Sequence, residues 1–341
     1  MPETLHKQSK SAHPEGSDAT DVSLDNLLRP SALYDYVGQE TIKNNLAIFL
    51  QAAQKRKEPL EHILLYGPAG LGKTSLAYVI AHEMQAKIQA TSGPAIEKVG
   101  DLGSLLTNLE DGDILFIDEI HRLNKNIVEL LYPAMDEYNL DLIVGKGPSA
   151  RSIKLKLARF TLITATTRIG MMPSPFRNRF GMVYNLDFYT TEDIGKIITR
   201  SAKILNVPID EEGIRILAQA SRLTPRIANR LLKRARDYAL VKGTGKITAE
   251  MARRTLELLK IDALGLEETD IKLLRSIIEK FDGGPVGIQS LAAASSEEID
   301  TIEEIYEPYL LKMGLLGKTP RGRTATDQAY HHLGIAKDTL L

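Results

Sequence analysis

Gly67-Pro68-Ala69-Gly70-Leu71-Gly72-Lys73-Thr74 is the stretch that decides how the rest of this chain folds. It follows the apolar run Ile63-Leu64-Leu65-Tyr66 and precedes a helical pattern from Ser75 to Glu83, so it lies where a strand turns into a helix. Glycines at such a turn let backbone N–H groups close around phosphate oxygens, while Lys73 reaches the β- and γ-phosphates and the Thr74 hydroxyl can bind Mg²⁺. The pattern predicts a P-loop that binds a nucleoside triphosphate.

Composition limits the remaining possibilities. The 341 residues suffice for two or three domains, and 43 basic against 44 acidic residues leave a net charge of −1. Bulk charge therefore predicts no polyanionic partner, so any basic patch must be local. The chain has no cysteine, which excludes disulfides and thiolate metal sites and favours a reducing compartment. We find no signal peptide pattern and no apolar run of transmembrane length, and we expect a soluble cytoplasmic protein.

A second run, Asp113-Ile114-Leu115-Phe116-Ile117-Asp118-Glu119, is apolar throughout its middle and ends in two acids. Such a run is typical of a buried parallel strand, and ligands of open α/β sheets bind at the carboxyl ends of their strands. Two acids after a strand are more often a solvated turn, but a P-loop upstream favours a Walker B element. Asp118 can then hold the Mg²⁺ shell, and Glu119 can polarise a water for attack on the γ-phosphate.

A third buried strand is predicted over Phe160 to Ala165, followed by Thr166-Thr167. A hydroxyl at that carboxyl end can sense the γ-phosphate, although a strand-end threonine is commonly only structural. The segment Pro175 to Gly181 then places Arg177 and Arg179 on a short helical turn. An arginine given to a neighbouring subunit can stabilise the transition state of phosphoryl transfer, and we expect it to have no close acidic partner within its own subunit.

Residues 140–157 have a strand-like alternating pattern, unlike the helical spacing that precedes them. Alternating apolar and basic residues flank the turn region Gly145-Lys146-Gly147-Pro148, which predicts a two-stranded hairpin. The hairpin is either an edge ribbon or a docking arm for a partner, and its residues favour neither.

From Tyr189 onward the apolar spacing is helical. Thr224 suits the N-cap and Pro225 the first position of a helix, so Arg226 lies in the first turn. A cation there opposes the helix dipole, and a bound phosphate would hold it. The segment up to Leu259 predicts a small helical bundle.

The last segment predicts three helices and a β-hairpin, which together form a winged helix. Ser295 and Glu298 suggest a capping box for the third helix. Its predicted exposed positions are acidic: Glu297, Glu298, Asp300, Glu303, Glu304 and Glu307. These side chains would repel DNA phosphates, so we do not expect this helix to recognise bases. The hairpin, or wing, carries Lys318, Arg321 and Arg323, which either contact DNA phosphates without sequence preference or are simply solvated.

We therefore predict an α/β P-loop ATPase domain, in which helices flank a parallel sheet, followed by an all-α lid domain and a winged-helix domain. The expected bounds are a disordered tail at 1–24, the ATPase domain at 25–188, the lid at 189–259 and the winged-helix head at 262–341.

Taken together, the motifs resemble those of the AAA+ ATPases and, among them, the RuvB family of bacterial Holliday-junction branch-migration motors. The resemblance covers the chain from about residue 25 to the C-terminus. Ala69, Thr164 and Lys318 depart modestly from the family pattern. The P-loop and the acidic pair are general ATPase motifs, whereas the last two of the segments listed next are specific to this family. The segments that carry the resemblance are Leu28 to Pro30, Gly67 to Thr74, Phe116 to Arg122, Ala165 to Arg168, Arg177 to Gly181, Thr224 to Arg230 and Thr319 to Arg323.

The resemblance implies ATP or ADP as ligand, with Mg²⁺. By position, Lys73 and Thr74 would serve the phosphates and the metal, Asp118 would join Thr74 on the metal, and Glu119 would complete Walker B. Thr167 would be the sensor 1 residue and Arg226 the sensor 2 residue of an AAA+ ATPase. Both would be catalytic residues, together with Lys73. The further nucleotide-binding residues that it implies are Leu28, Arg29, Gly67, Gly70, Gly72, Ser75, Asp136, Glu137, Tyr138 and Tyr189.

The resemblance also implies partners. Arg179 matches the arginine finger that one subunit of a homo-hexameric ring inserts into the nucleotide site of the next. It would therefore be both a catalytic and a nucleotide-binding residue. Lys318 and Arg323 match wing positions that touch DNA, and the hairpin 140–157 matches the arm that binds RuvA, with RuvC as a further candidate partner. The implied activity is ATP hydrolysis that pulls duplex DNA to move a Holliday junction in recombination and repair.

Three other functions use similar domains. A clamp loader would carry Ser-Arg-Cys at the finger, but this chain has no cysteine, and a protein unfoldase needs an aromatic pore loop, but Ser92 to Gly103 contains no aromatic residue. A transcription regulator would use its winged helix for base recognition, against which the acidic third helix argues.

Overall fold

A computed structural model describes residue 24, residues 26–144 and residues 151–337. The tail predicted at 1–24 lies outside these residues except for residue 24, as does the predicted turn of the hairpin at 145–148. No helix among the described residues is both long and apolar enough to cross a membrane.

A five-stranded, fully parallel sheet carries the P-loop, with the strand order β2-β3-β6-β1-β7. Tyr66 at the end of β1 is level with Thr166 at the end of β6, so the polar residues that follow these strands meet at one edge. Two antiparallel pairs, β4 with β5 and β8 with β9, are the predicted hairpins. The strands are β1 (Ile63–Tyr66), β2 (Ile88–Ser92), β3 (Ile114–Asp118), β4 (Asn139–Val144), β5 (Arg151–Lys156), β6 (Thr161–Thr166), β7 (Met182–Asn185), β8 (Leu316–Thr319) and β9 (Gly322–Ala325).

Helices cover both faces of the parallel sheet, as its continuous apolar strands predict. Successive residues of β3 point to opposite cores: Phe116 packs with the P-loop helix on one face, whereas Leu115 and Ile117 pack with Leu131 on the other. The helices of this part are Glu40–Arg56, Lys73–Glu83, Val99–Thr107, Lys125–Glu137 and Ser174–Arg177.

Four helices follow and form the lid. Thr224 is the N-cap and Pro225 the first residue of the third of them, as predicted. Ile194 and Leu231 join the same buried cluster as Leu76 of the P-loop helix, so the lid packs directly on one face of the ATPase core. The lid helices are Thr191–Ile204, Glu211–Gln219, Pro225–Lys242 and Ala249–Leu258.

The final part is a winged helix with its own apolar core. Its third helix, here called the acidic helix, comprises Ile299–Thr301, a π-helical turn Ile302–Tyr306, and Glu307–Lys312. The predicted capping box was wrong: Ser295 is the buried last residue of the preceding helix, and its hydroxyl donates to the Leu291 carbonyl at 2.7 Å. The remaining helices of the head are Glu268–Lys280, Ile288–Ser295 and Asp327–Leu333.

A buried ion pair joins the lid to the head. Arg222 donates to Asp270 Oδ2 at 2.9 Å, with 5% and 0% of the two side chains exposed. The guanidinium also donates to the Ile305 carbonyl and lies 4.8 Å from the centre of the Tyr309 ring. Because burial raises the pKa of Asp270 while Arg222 lowers it, the carboxylate needs this arginine to remain charged in the interior.

We predict that Arg222→Met lowers the free energy of unfolding by about 3–5 kcal/mol, because it leaves Asp270 buried without its counter-charge. The measurement is urea unfolding followed by circular dichroism. Arg215→Met is the matched control, since Arg215 pairs with Glu212 on the surface and its loss should change the unfolding midpoint little. Equal midpoints for the two variants would contradict the structural role given to Arg222.

Candidate nucleotide site

A cleft of about 250 Å³ opens at the carboxyl edge of the sheet, beneath the lid. The P-loop forms its floor, the ends of β3 and β6 form one wall, and the first turn of helix Pro225–Lys242 closes the top. Most of the residues predicted to bind nucleotide line this cleft: Leu28, Arg29, Gly70, Gly72, Lys73, Thr74, Ser75, Asp118, Glu119, Thr167, Tyr189 and Arg226.

Lys73 is held inside the loop that it follows. Its ammonium donates to the carbonyls of Gly67 and Pro68 at 2.8 and 2.9 Å. Gly67 itself lies behind the loop rather than on the cleft wall; its φ of +140° and the Leu186 carbonyl, 2.2 Å from where a Cβ would be, exclude any side chain there. Burial lowers the pKa of Lys73 to about 8, against the opposing charges of Asp118 and Glu119. The lysine is thus a desolvated cation that a phosphate would stabilise.

The Thr74 hydroxyl donates to Asp118 Oδ2 at 3.0 Å, which ties the P-loop to the end of β3. Asp118 Oδ1 accepts the Glu119 N–H at 2.9 Å, so the carboxylate is fixed on both sides. A hydroxyl and one carboxylate are the hard oxygen donors that suit Mg²⁺, which keeps several waters and takes few protein ligands. Consistent with this, the described residues contain no cluster of three His, Cys, Asp or Glu that would bind a metal alone.

Glu119 follows Asp118 in a left-handed backbone conformation, with φ of +49°. Gly93 permits this turn, because a Cβ there would lie 2.4 Å from the Glu119 carbonyl oxygen. Burial raises the pKa of Glu119, and the adjacent Asp118 raises it further, although Lys73 opposes both. A carboxylate that binds protons more readily is a better general base.

The lid closes the cleft through two arginines. The Arg226 N–H reaches the Gly70 carbonyl at 3.4 Å, so the first turn of its helix rests on the P-loop. Arg200, which the sequence analysis missed, donates to the carbonyls of Leu28 and Arg29 at 2.9 and 3.1 Å. No sequence signal marks Arg200, because its partners are backbone atoms far along the chain.

Tyr36 is a second missed residue of the cleft. Tyr189 donates to the Leu71 carbonyl at 3.1 Å and lies 3.3 Å from the Tyr36 hydroxyl, which reaches the Gly72 carbonyl at 3.3 Å. Burial raises the pKa of Tyr189 to about 12 and that of Tyr36 well above its usual value, so both remain neutral donors. The available signal was that Tyr36 lies close in sequence to Leu28 and Arg29, which were predicted to bind nucleotide.

The acidic helix reaches the edge of this cleft. Its Asp300 is exposed, as predicted, but the prediction was wrong for the other acids, since Glu303 and Glu304 are partly buried and Glu307 is buried. Glu304 accepts the Thr167 hydroxyl at 3.3 Å and pairs with Arg168 at 2.7 Å. Asp300 also pairs with Arg168, at 2.9 Å. Thr167 is therefore held by the winged-helix head, in addition to its own strand.

Arg179 does not line the cleft, and neither do Asp136, Glu137 or Tyr138. The prediction that Arg179 has no acidic partner in its own subunit was wrong: its Nε lies 2.9 Å from Asp136 Oδ2, and its guanidinium stacks 4.3 Å from the centre of the Tyr132 ring. The structure thus brings Arg179 and Asp136 together at a second location, outside the P-loop cleft.

The wing is the predicted β-hairpin, but its basic residues differ in exposure. Arg323 is buried and pairs with Glu307 at 2.5 Å and Glu303 at 3.0 Å. Lys318 reaches Glu307 at 3.0 Å while half of its side chain stays exposed. Burial alone would raise the pKa of Glu307, but hydrogen bonds from Arg323 and Lys318 lower it. Arg321, at the tip of the hairpin, is exposed.

Three family models match consecutive parts of the chain. Residues 28–186 match the P-loop domain of the Holliday junction DNA helicase RuvB, residues 189–262 the RuvB AAA lid domain, and residues 263–334 the RuvB C-terminal winged helix domain.

Whole-chain comparisons agree with these matches. The Holliday junction branch migration complex subunit RuvB of Dehalococcoides mccartyi (strain CBDB1) is 58% identical over 315 residues, which are 92% of this chain and 90% of the relative. The Thermotoga maritima RuvB Holliday junction branch migration motor has a structure with 47% identity and a TM-score of 0.83, covering 91% of this chain and 99% of that one. A variant of the same Thermotoga protein gives a TM-score of 0.84 over 90% of this chain and 98% of its own.

The lowered pKa of Lys73 predicts that ATP affinity falls as pH rises through about 8. A bound triphosphate raises that pKa, so binding takes up a proton above pH 8, and the affinity should fall up to about tenfold per pH unit there. Equilibrium binding of a fluorescent ATP analogue between about pH 7 and about pH 9.5 measures this. In Lys73→Arg the guanidinium stays protonated throughout, so its affinity should not change in this range. A flat profile for the unaltered protein would refute the assignment.

Proposed function

Because the chain belongs to the RuvB family of Holliday-junction branch-migration motors, we propose that its cleft hydrolyses ATP with Mg²⁺ and that its wing and hairpin couple this reaction to junction DNA. Membership of the family by three consecutive domain models decides against the clamp-loader and transcription-regulator alternatives. The chain is a P-loop ATPase and a motor subunit of a Holliday-junction branch-migration complex. In our assignment the ATPase domain is 25–188, the lid 189–259 and the head 262–341.

Each residue of the cleft has a role in this proposal. The P-loop amides and Lys73 hold the β- and γ-phosphates, and Thr74 with Asp118 holds Mg²⁺, which screens the charge that develops between those phosphates. Glu119 orients a water and accepts its proton, and Thr167 donates its hydroxyl toward the γ-phosphate. The contact that carries the assignment is the 3.0 Å hydrogen bond between Thr74 and Asp118, because it joins the phosphate loop to the metal-binding strand end.

Arg179 acts on the cleft of a neighbouring subunit in this proposal. Its exclusion from its own cleft supports a role in trans. Asp136 and the Tyr132 ring hold the guanidinium of Arg179 in place. Glu137 and Tyr138 follow Asp136 in sequence. Arg179, Asp136, Glu137 and Tyr138 would then border the nucleotide of the next subunit. Each site then needs two chains, and the family resemblance implies that these chains form a hexameric ring.

Partner contacts lie on the hairpins. The exposed Arg321 and half-exposed Lys318 would contact DNA phosphates, which supports binding without sequence preference. Arg323 would support the wing through Glu307 and would reach DNA only if that pair opened. The hairpin of β4 and β5 would bind RuvA, and RuvC remains a candidate partner.

Mixed rings test the shared site. We predict that junction DNA with RuvA stimulates ATP hydrolysis by the unaltered protein, and that Lys73→Ala and Arg179→Ala each abolish most of it. Loss of an arginine finger costs about 10³- to 10⁵-fold in the rate constant. Mixing the two variants should restore part of the activity, because some sites then combine an intact P-loop with an intact Arg179.

Arg177→Ala is the matched control for Arg179→Ala, since it removes the other arginine of the same turn and should leave hydrolysis largely intact. Failure of junction DNA and RuvA to stimulate hydrolysis would refute the motor function. No recovery in mixed rings at any ratio would refute only the role of Arg179 in trans.

For the wing, we predict that Arg321→Ala weakens binding to duplexes of different sequence equally and lowers the slope of log affinity against log salt by about 1, because one phosphate contact is lost. Fluorescence anisotropy over a salt series measures both quantities. Arg275→Ala, an exposed arginine of the head outside the wing, is the control and should bind normally. A loss confined to one sequence would contradict phosphate contact.

A further inference from the structure

His121 lies two residues beyond Glu119, in the turn Ile120–Arg122 that follows β3. Only 4% of its side chain is exposed, and its Nε2 lies 3.4 Å from Glu119 Oε2. Its other ring nitrogen, Nδ1, lies 2.8 Å from the Thr166 hydroxyl at the end of β6. The ring does not line the nucleotide cleft, so it bridges two strand ends from behind the site.

The hydrogen bonds around Thr166 orient the protons of this bridge. The Thr166 oxygen accepts the Arg168 N–H at 2.9 Å. Its own O–H can donate to His121 Nδ1, and in that arrangement Nδ1 is the acceptor and the proton of a neutral ring lies on Nε2. Burial lowers the pKa of His121, and Arg168 and Arg122 lower it further against Glu304 and Asp118, which favours the neutral ring. In that tautomer the Nε2–H faces Glu119.

Glu119 needs such support. Its carboxylate is only one-third exposed and lies beside the like charge of Asp118. Among the described residues, His121 is the only group whose ion-pair contact with this carboxylate is within 4 Å. At 3.4 Å the contact is longer than a well-formed N–H···O bond, as catalytic hydrogen bonds often are before substrate binds.

We propose that His121 is a positioning residue for Glu119: anchored on Thr166, its Nε2–H donates to the Glu119 carboxylate and holds it at the attacking water. This rests on the proposed role of Glu119 as the base for hydrolysis. It also links that base to β6, the strand that ends in Thr166 and the sensor Thr167. The position of the carboxylate is thus set by two strands of the sheet rather than by its own turn alone.

Two substitutions of His121 test its two ring nitrogens separately. The amide of Gln reaches the place of Nε2, whereas that of Asn reaches only the place of Nδ1. We expect His121→Asn to lower kcat about 10- to 100-fold with unchanged ATP affinity and KM, since misplacement of a catalytic group by about 1 Å has an effect of this size. His121→Gln should retain most of kcat. His82→Asn, the same change at an exposed histidine of the P-loop helix, is the control.

A second measurement needs no nucleotide. Long-range ¹H–¹⁵N spectra of the full chain, with the signal of His121 assigned by its loss in His121→Gln, report which ring nitrogen carries the proton. The Nε2–H form is expected, and Thr166→Val should shift the ring toward the other tautomer. An Nδ1–H ring in the unaltered protein would overturn the proposal, because Nε2 would then face Glu119 without a proton.

The remaining outcomes are distinct. Equal kcat losses in His121→Asn and His121→Gln would indicate a structural role and overturn the proposal, as would an unchanged kcat in His121→Asn. Glu119→Gln tests the premise separately: if it hydrolyses ATP normally, the proposed role of Glu119 fails first. If it is inactive while His121→Asn is fully active, only the role of His121 fails.

Discussion

Parallel pairing of β1, β6 and β3 is the constraint on which the nucleotide site depends. Because the three strands run in one direction, the P-loop, the Thr166-Thr167 pair and Asp118 with Glu119 all emerge at the same edge. The loop is then joined to both neighbours, by the 3.2 Å bond from the Gly67 N–H to the Thr166 carbonyl and by the 3.0 Å bond from Thr74 to Asp118. Groups that are distant in sequence share one rigid frame, which reduces the reorganisation that phosphoryl transfer requires.

The acids of the acidic helix form ion pairs with other parts of the chain. Asp300 and Glu304 pair with Arg168 beside Thr167, while Glu303 and Glu307 pair with Arg323 of the wing. One helix thus contacts both the edge of the nucleotide cleft and the wing, with a π-helical turn between its ends. A displacement of this helix would alter both sets of ion pairs at once, which gives the head a physical connection to the site of hydrolysis.

Local patterns in the sequence predicted the elements well. The apolar runs are strands, the glycine-rich loop is the turn between a strand and a helix, and the Thr224-Pro225 pair begins a helix. Predictions that concerned partners were poorer: Arg179 has Asp136 beside it, and Glu307 is buried against Arg323. The error at Ser295 was of a different kind, because its hydroxyl bonds back within the preceding helix instead of capping the next one.

The sequence by itself determined that a P-loop lies at Gly67–Thr74 between a strand and a helix and that acids follow a buried strand, since spacing and residue type specify a strand, a turn and a helix over a few residues. Only the tertiary structure decided that Arg200 and Tyr36 complete the cleft, that Glu304 holds Thr167, and that His121 bridges Glu119 and Thr166. These contacts join residues on separate elements, and the packing of those elements follows from the burial of all their apolar faces together, which no short segment encodes.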